Sequence, residues 1–401
     1  MVRAYIDFAR VNWQQLLFGA LLMALSSFGQ TYFVSVSGSY FRKAFSLSDG
    51  GLGATYAAGT FLSALTLTWA GRLIDYTTVR RFTWCVALLL AMACVLVAVS
   101  SHFIMLAVAF YFLRLGGQGL MTHTALTATA RAFPQDAGKA LGLSVAQGLF
   151  PIAGVTMMEH LGWRTAWMIN AGLVIAGVSV ALLFLPRHGD QAIRSRKDKP
   201  RKGDEKAKAL WRDARLLLTL PAVLAGPFIV TGFFFHQARL AEQKGWDIST
   251  VAASFAAFAI VQAVASVAIG PIIDKIGPKS LLPLFLLPQA LAMLVLGLVS
   301  APWIAPVYMI LMAISMALGS TLATALWVEL FGTRELARVR SSVEAGMVVA
   351  SGASPIMMGL LIDAGIPLSW QALGCCVYTL IASALTLKVK RKSSEEVVQD
   401  M

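Results

Sequence analysis

An arginine stands where a membrane helix should be most apolar. Arg114 lies about eleven residues into a hydrophobic stretch that starts near Phe103, so about 16 Å deep at 1.5 Å per residue. A cation at that depth costs at least about 2.5–3.5 kcal/mol on insertion scales, so it must face protein or water. The acids Asp75, Glu159, Asp274, Glu329, Glu344 and Asp363 all fall near the ends of such stretches. Arg114 thus has no carboxylate at its own depth, and a substrate carboxylate could supply one to its planar, two-pronged guanidinium. A purely structural role is equally open, with backbone carbonyls or glutamine side chains as partners.

Other polar groups could join Arg114 in a wet cavity. Gln118 follows four residues on, which is the same face of a regular α-helix. Gln30 and Tyr32 sit in the outer half of the first hydrophobic stretch, Gln147 and Gln262 near the middle of the fifth and eighth, and Thr321 and Thr324 in the tenth. Each could also serve as an ordinary interhelical hydrogen bond. Histidine titrates near neutral pH, so His123 and His236 join Arg114 as candidates for carrying a coupled proton. The Phe233 to Phe235 run beside His236 reads as packing rather than a substrate stack.

The elements that must position these residues are membrane spans. Hydrophobic residues make up 58% of the 401 and charged residues 13%, against roughly 25% charged in soluble domains. Runs of about 20 apolar residues begin near Trp13, Leu52, Phe82, Phe103, Ala140, Thr165, Leu216, Val251, Leu281, Ile304, Val343 and Gln371. We number them spans 1 to 12. The first run follows Arg3 and Arg10 but continues to about Val36, too long for a signal peptide's core, and reads as a retained helix.

Charge supplies the orientation. With the N-terminus inside, the inner loops hold 27 of the 33 Lys and Arg. The outer loops hold Arg42, Lys43, Arg164, Arg239 and Lys244, and Arg114 is left within a span. This is the positive-inside bias, and it predicts two cytoplasmic termini. The net charge of +13 then reads as topology and attraction to the bilayer surface, not nucleic-acid binding.

The chain repeats itself. Gly71-Arg72-Leu73-Ile74-Asp75 and Gly270-Pro271-Ile272-Ile273-Asp274 lie about 200 residues apart, each after the second span of its half. Basic residues follow both: Arg80 and Arg81 in one, Lys275 and Lys279 in the other. Gly148 to Ile152 in span 5 is echoed by Gly352 to Ile356 in span 11. Glu159 and Asp363 close those spans, and Gly162-Trp163 and Ser369-Trp370 open the next. The expected layout is an N-terminal six-helix bundle over 1–186, a basic cytoplasmic linker over 187–215, a second six-helix bundle over 216–388 and a cytoplasmic tail over 389–401. The fold class is an all-α integral membrane protein of twelve transmembrane helices in two parallel bundles, with the pathway between them.

These features resemble the major facilitator superfamily. The resemblance rests on the paired Gly-x-x-x-Asp loops, Arg114-x-x-Gly117-Gln118-Gly119 and Gly162-Trp163-Arg164, and spans nearly the whole chain. The second loop follows the family pattern, while the first has Tyr76 where a basic residue is usual and Thr78 where glycine is usual. Trp327 to Arg334 is similar to the bacterial branch near monocarboxylate and oxalate/formate carriers. Such carriers usually add a cation in span 8 or 11, which is missing here. The resemblance implies a cytoplasmic gate of Gly71, Asp75, Arg80, Arg81, Gly270, Asp274, Lys275 and Lys279. In it, Asp75 and Asp274 meet the N-termini of spans 11 and 5 when that side is shut, where helix dipoles favour carboxylates.

Several functions are disfavoured. The histidines are scattered, Cys85, Cys94, Cys375 and Cys376 lie in apolar spans without ligand spacing, and no glycine-rich phosphate loop occurs. Neither an enzyme nor a metal site nor a bound cofactor is expected. The reading is a monomeric secondary carrier in a bacterial inner membrane. It moves a small organic anion such as a monocarboxylate by alternating access, in symport with a proton. The alternative is a proton-driven exporter of drugs or metabolites, kept open by Gly148, Pro151 and Gly154 in span 5.

Overall fold

A computed structural model describes residues 10–133, 150–185 and 213–389. Gln147, most of the linker and the tail beyond residue 389 lie outside the described residues, as do the side chains of Asp274 and Thr324. Every regular element described is helical, and eight helices are long and apolar enough to cross a membrane. They include Val79–Val99 (span 3), Trp163–Leu183 (span 6), Ala214–Phe235 (span 7) and Leu368–Thr386 (span 12). Asp49–Ala70 forms span 2, Phe150–Leu161 the described part of span 5, Ile248–Ile276 span 8, and Leu287–Leu298 the main helix of span 9. Spans 10 and 11 run as Ile304–Asp363 with a break at Gly332, whose φ of 75° only glycine adopts easily. The order is that of two six-helix bundles, and each bundle has its own large buried apolar core.

Two spans depart from a regular helix. Span 1 is Trp13–Ser26, a 3-10 turn Ser27–Gly29, an extended Gln30 (φ −79°, ψ 150°), then Thr31–Val36 and Gly38–Phe45. Span 4 is Phe103–Leu113, a π-helical stretch Arg114–Met121, then Thr122–Ala132. The continuous helix expected to about Val36 is thus corrected. The cause is contact between the two irregular stretches. A Cβ on Gly29 would lie 2.2 Å from the Leu113 carbonyl oxygen, and one on Gly117 would lie 2.6 Å from the Gly29 Cα. Irregular backbone at membrane depth persists only where protein or a water-filled cavity satisfies it.

Among the described residues the bundles meet chiefly through spans 2 and 11, and small residues bring them together. A Cβ on Gly53 would sit 2.3 Å from the Pro355 carbonyl oxygen. One on Gly359 would sit 2.5 Å from that of Asp49, and one on Gly352 would strike the Phe61 ring at 2.6 Å. The Gly352 to Ile356 stretch that marks the internal repeat is therefore contact surface. Phe235, from the C-terminal bundle, packs into the N-terminal core.

We call the face with the Gly-x-x-x-Asp loops the loop face, and its opposite the far face. Four of the five basic residues on the far face have structural partners. Arg164 donates to the Ala98 carbonyl at 2.6 Å, and Lys244 donates to those of Leu296 and Val299 at 2.8 and 2.9 Å. Arg42 and Arg239 join carboxylates between the bundles.

Candidate functional site

Arg114 begins the π-helical stretch and is only 6% exposed. Its Nη1 donates to the Gly29 carbonyl (3.4 Å) and to Thr31 Oγ1 (3.2 Å). The carbonyl is available because span 1 breaks after Gly29, so Gln30 to Thr31 does not continue its helical ladder. The Arg114 guanidinium carbon lies 5.2 Å from the centre of the Tyr56 ring, a cation–π distance. Tyr56 shares a 2.8 Å hydrogen bond with Thr31, and its ring lies 4.6 Å from that of Phe235 across the bundle boundary. Among the described residues no carboxylate pairs with Arg114, and its buried Nε has no hydrogen-bond partner.

Among the described side chains, none of the polar residues chosen from the sequence is a bonding partner of Arg114. Gln118 is exposed although Arg114 is buried. The shared face inferred from four-residue spacing is corrected here, because a π-helix closes its bonds at five residues and shifts the register. Gln30 Nε2 reaches Thr122 Oγ1 at 3.5 Å. The Tyr32 hydroxyl donates to Ser27 Oγ at 3.1 Å, and its ring lies 5.3 Å from Phe255 of span 8. Gln262 is half-buried on span 8, and Thr324 lies on the Ile304–Asp363 helix. Thr31 and Tyr56, which do surround the guanidinium, were missed. Neither has a sequence signal apart from being polar within an apolar run.

Several of the described loop-face residues are engaged within their own bundles. Asp75 forms an ion pair with Arg131 of span 4. His123 lies on that same span, with Nε2 3.1 Å from the Gly71 carbonyl. Arg80 donates to the Leu182 carbonyl at 3.3 Å, while Arg81 and Lys275 are exposed. The Lys279 N–H donates to Glu329 at 3.1 Å. A Cβ on Gly71 would make ordinary contact with His123, and one on Gly270 would meet open space.

The far face carries a latch instead. Asp363, at the end of span 11, accepts the backbone N–H groups of Asp49 (3.0 Å) and Gly50 (2.9 Å), the first turn of span 2. Arg42 bridges Asp49 (2.5 Å) and Glu242 (2.8 Å), and Ser39 donates to Glu242 at 2.5 Å. Arg239 lies 3.3 Å from Asp49 and pairs with Glu242 at 3.0 Å. Gln237 donates to the Tyr32 carbonyl (2.7 Å) and to Ser35 (2.6 Å). His236 is 3% exposed, with Nε2 bonded to the Pro355 carbonyl at 2.9 Å and Nδ1 3.9 Å from Asp49. Burial alone would raise the Glu242 carboxyl, but the bonds from Ser39 and Arg239 and the charge of Arg42 hold it below the usual carboxylate range.

Two helical bundles, a buried guanidinium that no described carboxylate pairs and ion pairs joining the bundles on one face define the architecture of a membrane transporter. The sequence model of the Major Facilitator Superfamily matches residues 17–254 and 236–399, so the chain belongs to that superfamily. It is a membrane transporter and not an enzyme. Its fold is shared with a bacterial homolog of the human lysosomal transporter Spinster, solved inward-facing. The unoccupied form gives a TM-score of 0.69 at 16% identity over 96% of this chain and 97% of that one. The occupied form gives 0.69 at 18% over the same shares. A mutant of the nucleoside transporter NupG gives 0.71 at 13% identity, covering 93% and 99%. No curated protein matches the chain significantly.

Proposed function

We propose that this transporter carries a small organic anion, such as a monocarboxylate, with Arg114 as the cation that receives it. The observation that supports this is the buried guanidinium without a carboxylate partner and with its Nε unbonded. Charged-group hydrogen bonds are worth roughly twice neutral ones, so an arriving carboxylate gains where water and carbonyls do not suffice. The monocarboxylate and oxalate/formate branch remains the favoured one, reduced to a single cation and so suited to a small solute.

The charge asymmetry supports a cytoplasmic loop face, with both termini there, in a bacterial inner membrane. On that orientation the far-face latch seals the outside, and this conformation is inward-facing. In the opposite state Asp75 and Asp274 would meet the N-termini of spans 11 and 5. Proton symport fits His236 better than His123. His236 sits between the bundles with Nδ1 toward Asp49, whereas His123 is tied to Gly71 within one bundle.

The aromatic chain in which Tyr32 and Phe234 contact Phe255, and Phe258 contacts Phe234, favours a second reading, a proton-driven exporter of lipophilic drugs or metabolites. Uptake of short monocarboxylates into proteoliposomes under an inward proton gradient separates the two. The anion reading expects saturable uptake that falls more than about tenfold in Arg114→Gln. Undiminished uptake in that variant overturns it, and movement of lipophilic cations alone establishes the exporter.

A further inference from the structure

The C-terminal bundle contains a cavity of about 270 Å³ between spans 7, 9, 10 and 11. It is separate from Arg114, which stands in the other bundle. Its walls are largely apolar, with Leu286 and Trp327 both buried. Glycines keep it open: a Cβ on Gly226 would meet nothing nearer than Gln289 at 4.0 Å, and one on Gly319 would touch Phe285 at 3.4 Å.

The polar groups on the wall single out one side chain. Ser315 donates to the Phe285 carbonyl at 2.9 Å, and Ser320 donates to that of Ala317 at 3.1 Å. At the rim Arg340 and Glu344 pair with each other at 2.7 Å and are exposed. Gln289 is 1% exposed, its Nε2 has no hydrogen-bond partner, and its Oε1 is the atom nearest Gly226, so a half-turn of the amide is what brings the nitrogen to the cavity. A buried amide donor left unbonded costs free energy, and an occupant with an acceptor would remove that cost. The size fits a fragment, since an apolar cavity of about 150 Å³ holds benzene and drug-sized sites begin near 300 Å³. The rim offers an already neutralised pair, so a net charge on the occupant gains nothing there.

We propose that this cavity is a ligand site for a small, uncharged, mainly apolar molecule whose one carbonyl or ether oxygen accepts a hydrogen bond from Gln289 Nε2. The site stands independently of the solute carried at Arg114.

The test uses the full chain in lipid nanodiscs and two fluorinated probes followed by fluorine NMR. One is 4-fluoroacetophenone. The other is 4-fluoro-α-methylstyrene, in which a methylene group replaces the carbonyl oxygen. Both should bind saturably above empty nanodiscs. Gln289→Leu should weaken the ketone about tenfold, the worth of one hydrogen bond, and leave the styrene within about twofold. Ala323→Phe should fill the cavity and abolish saturable binding of both, and Gly226→Met should do the same from the opposite wall if the first variant fails to fold. No saturable binding to wild type means the cavity holds water alone, which overturns the proposal. Equal effects of Gln289→Leu on both probes, no effect on either, or full binding to the filled variants also overturn it.

Discussion

The carboxylate of Asp363 holds the backbone of Gly50 at 2.9 Å, and through it one bundle caps a helix of the other. A carboxylate at a helix N-terminus is the device the sequence suggested for the loop face. Here it operates on the far face, at the opposite ends of the same kind of helix pair. Asp363→Asn should therefore loosen the latch without unfolding either bundle. A helix-end charge is worth about 0.3–1 kcal/mol when exposed, so thiol labelling of a reporter at buried Ala238 should rise about two- to fivefold. Unchanged labelling would show that closure rests on spans 2 and 11 alone.

Glycine contact makes a separate prediction. Gly53→Ala places a methyl carbon 2.3 Å from the Pro355 carbonyl oxygen, and rigid backbone cannot yield that distance. Overpacking costs typically about 1–3 kcal/mol, and here it falls on the closed far face rather than on a bundle core. The variant should fold, label faster than Asp363→Asn and favour the state open to the far side. Loss of folded protein on size exclusion would move the contact into the folding core instead.

Acidity should act on the same latch. Glu242 is held below the ordinary carboxylate range in the closed far face, and its side chain is 41% exposed. A group whose closed-state value is depressed contributes closure above its ordinary value and loses it as pH falls through the depressed one. Closure should thus be steady through neutral and mildly acidic pH and fail only below the usual carboxylate range. Glu242→Gln should remove that acid limb. His236 faces Asp49 and Arg42 at the same boundary, and protonation of Nδ1 adds an attraction to Asp49. If it carries the coupled proton, His236→Gln should leave substrate exchange intact and abolish uphill uptake driven by a proton gradient.

Tyr56 tests how Arg114 is held. Tyr56→Phe keeps the ring under the guanidinium but deletes the 2.8 Å bond to Thr31, at about 0.5–1.5 kcal/mol. Tyr56→Ala also removes the ring contact with Phe235. Transport should fall modestly in the first and by at least tenfold in the second, with Arg114→Lys resembling the second because an ammonium lacks the planar fork. Equal activity of all three would give Arg114 a structural role alone.

Much of the architecture was readable because lipid imposes it. Apolar runs near 20 residues, the paired Gly-x-x-x-Asp loops and the depth of Arg114 are read from composition and spacing, and the family match agrees with the fold class those runs imply. The landmarks closing spans 5 and 11 were visible too, but only as a repeat. That Asp363 reaches the first turn of span 2 requires packing of residues more than 300 positions apart.

The local breaks were hidden for a different reason. Hydropathy averages over a window, so a 3-10 turn at Ser27–Gly29 and a π-helical stretch at Arg114–Met121 leave no trace in it. They exist because two backbones touch at Gly29 and Gly117, a contact that neither stretch specifies alone. By itself the sequence determined a duplicated helical membrane protein with one stranded cation, since the cost of burying polar groups in lipid acts on each segment separately. Tertiary structure decided which groups surround that cation and which bonds join the bundles on the far face, since hydrogen bonds between bundles depend on distances that only the packed chain sets.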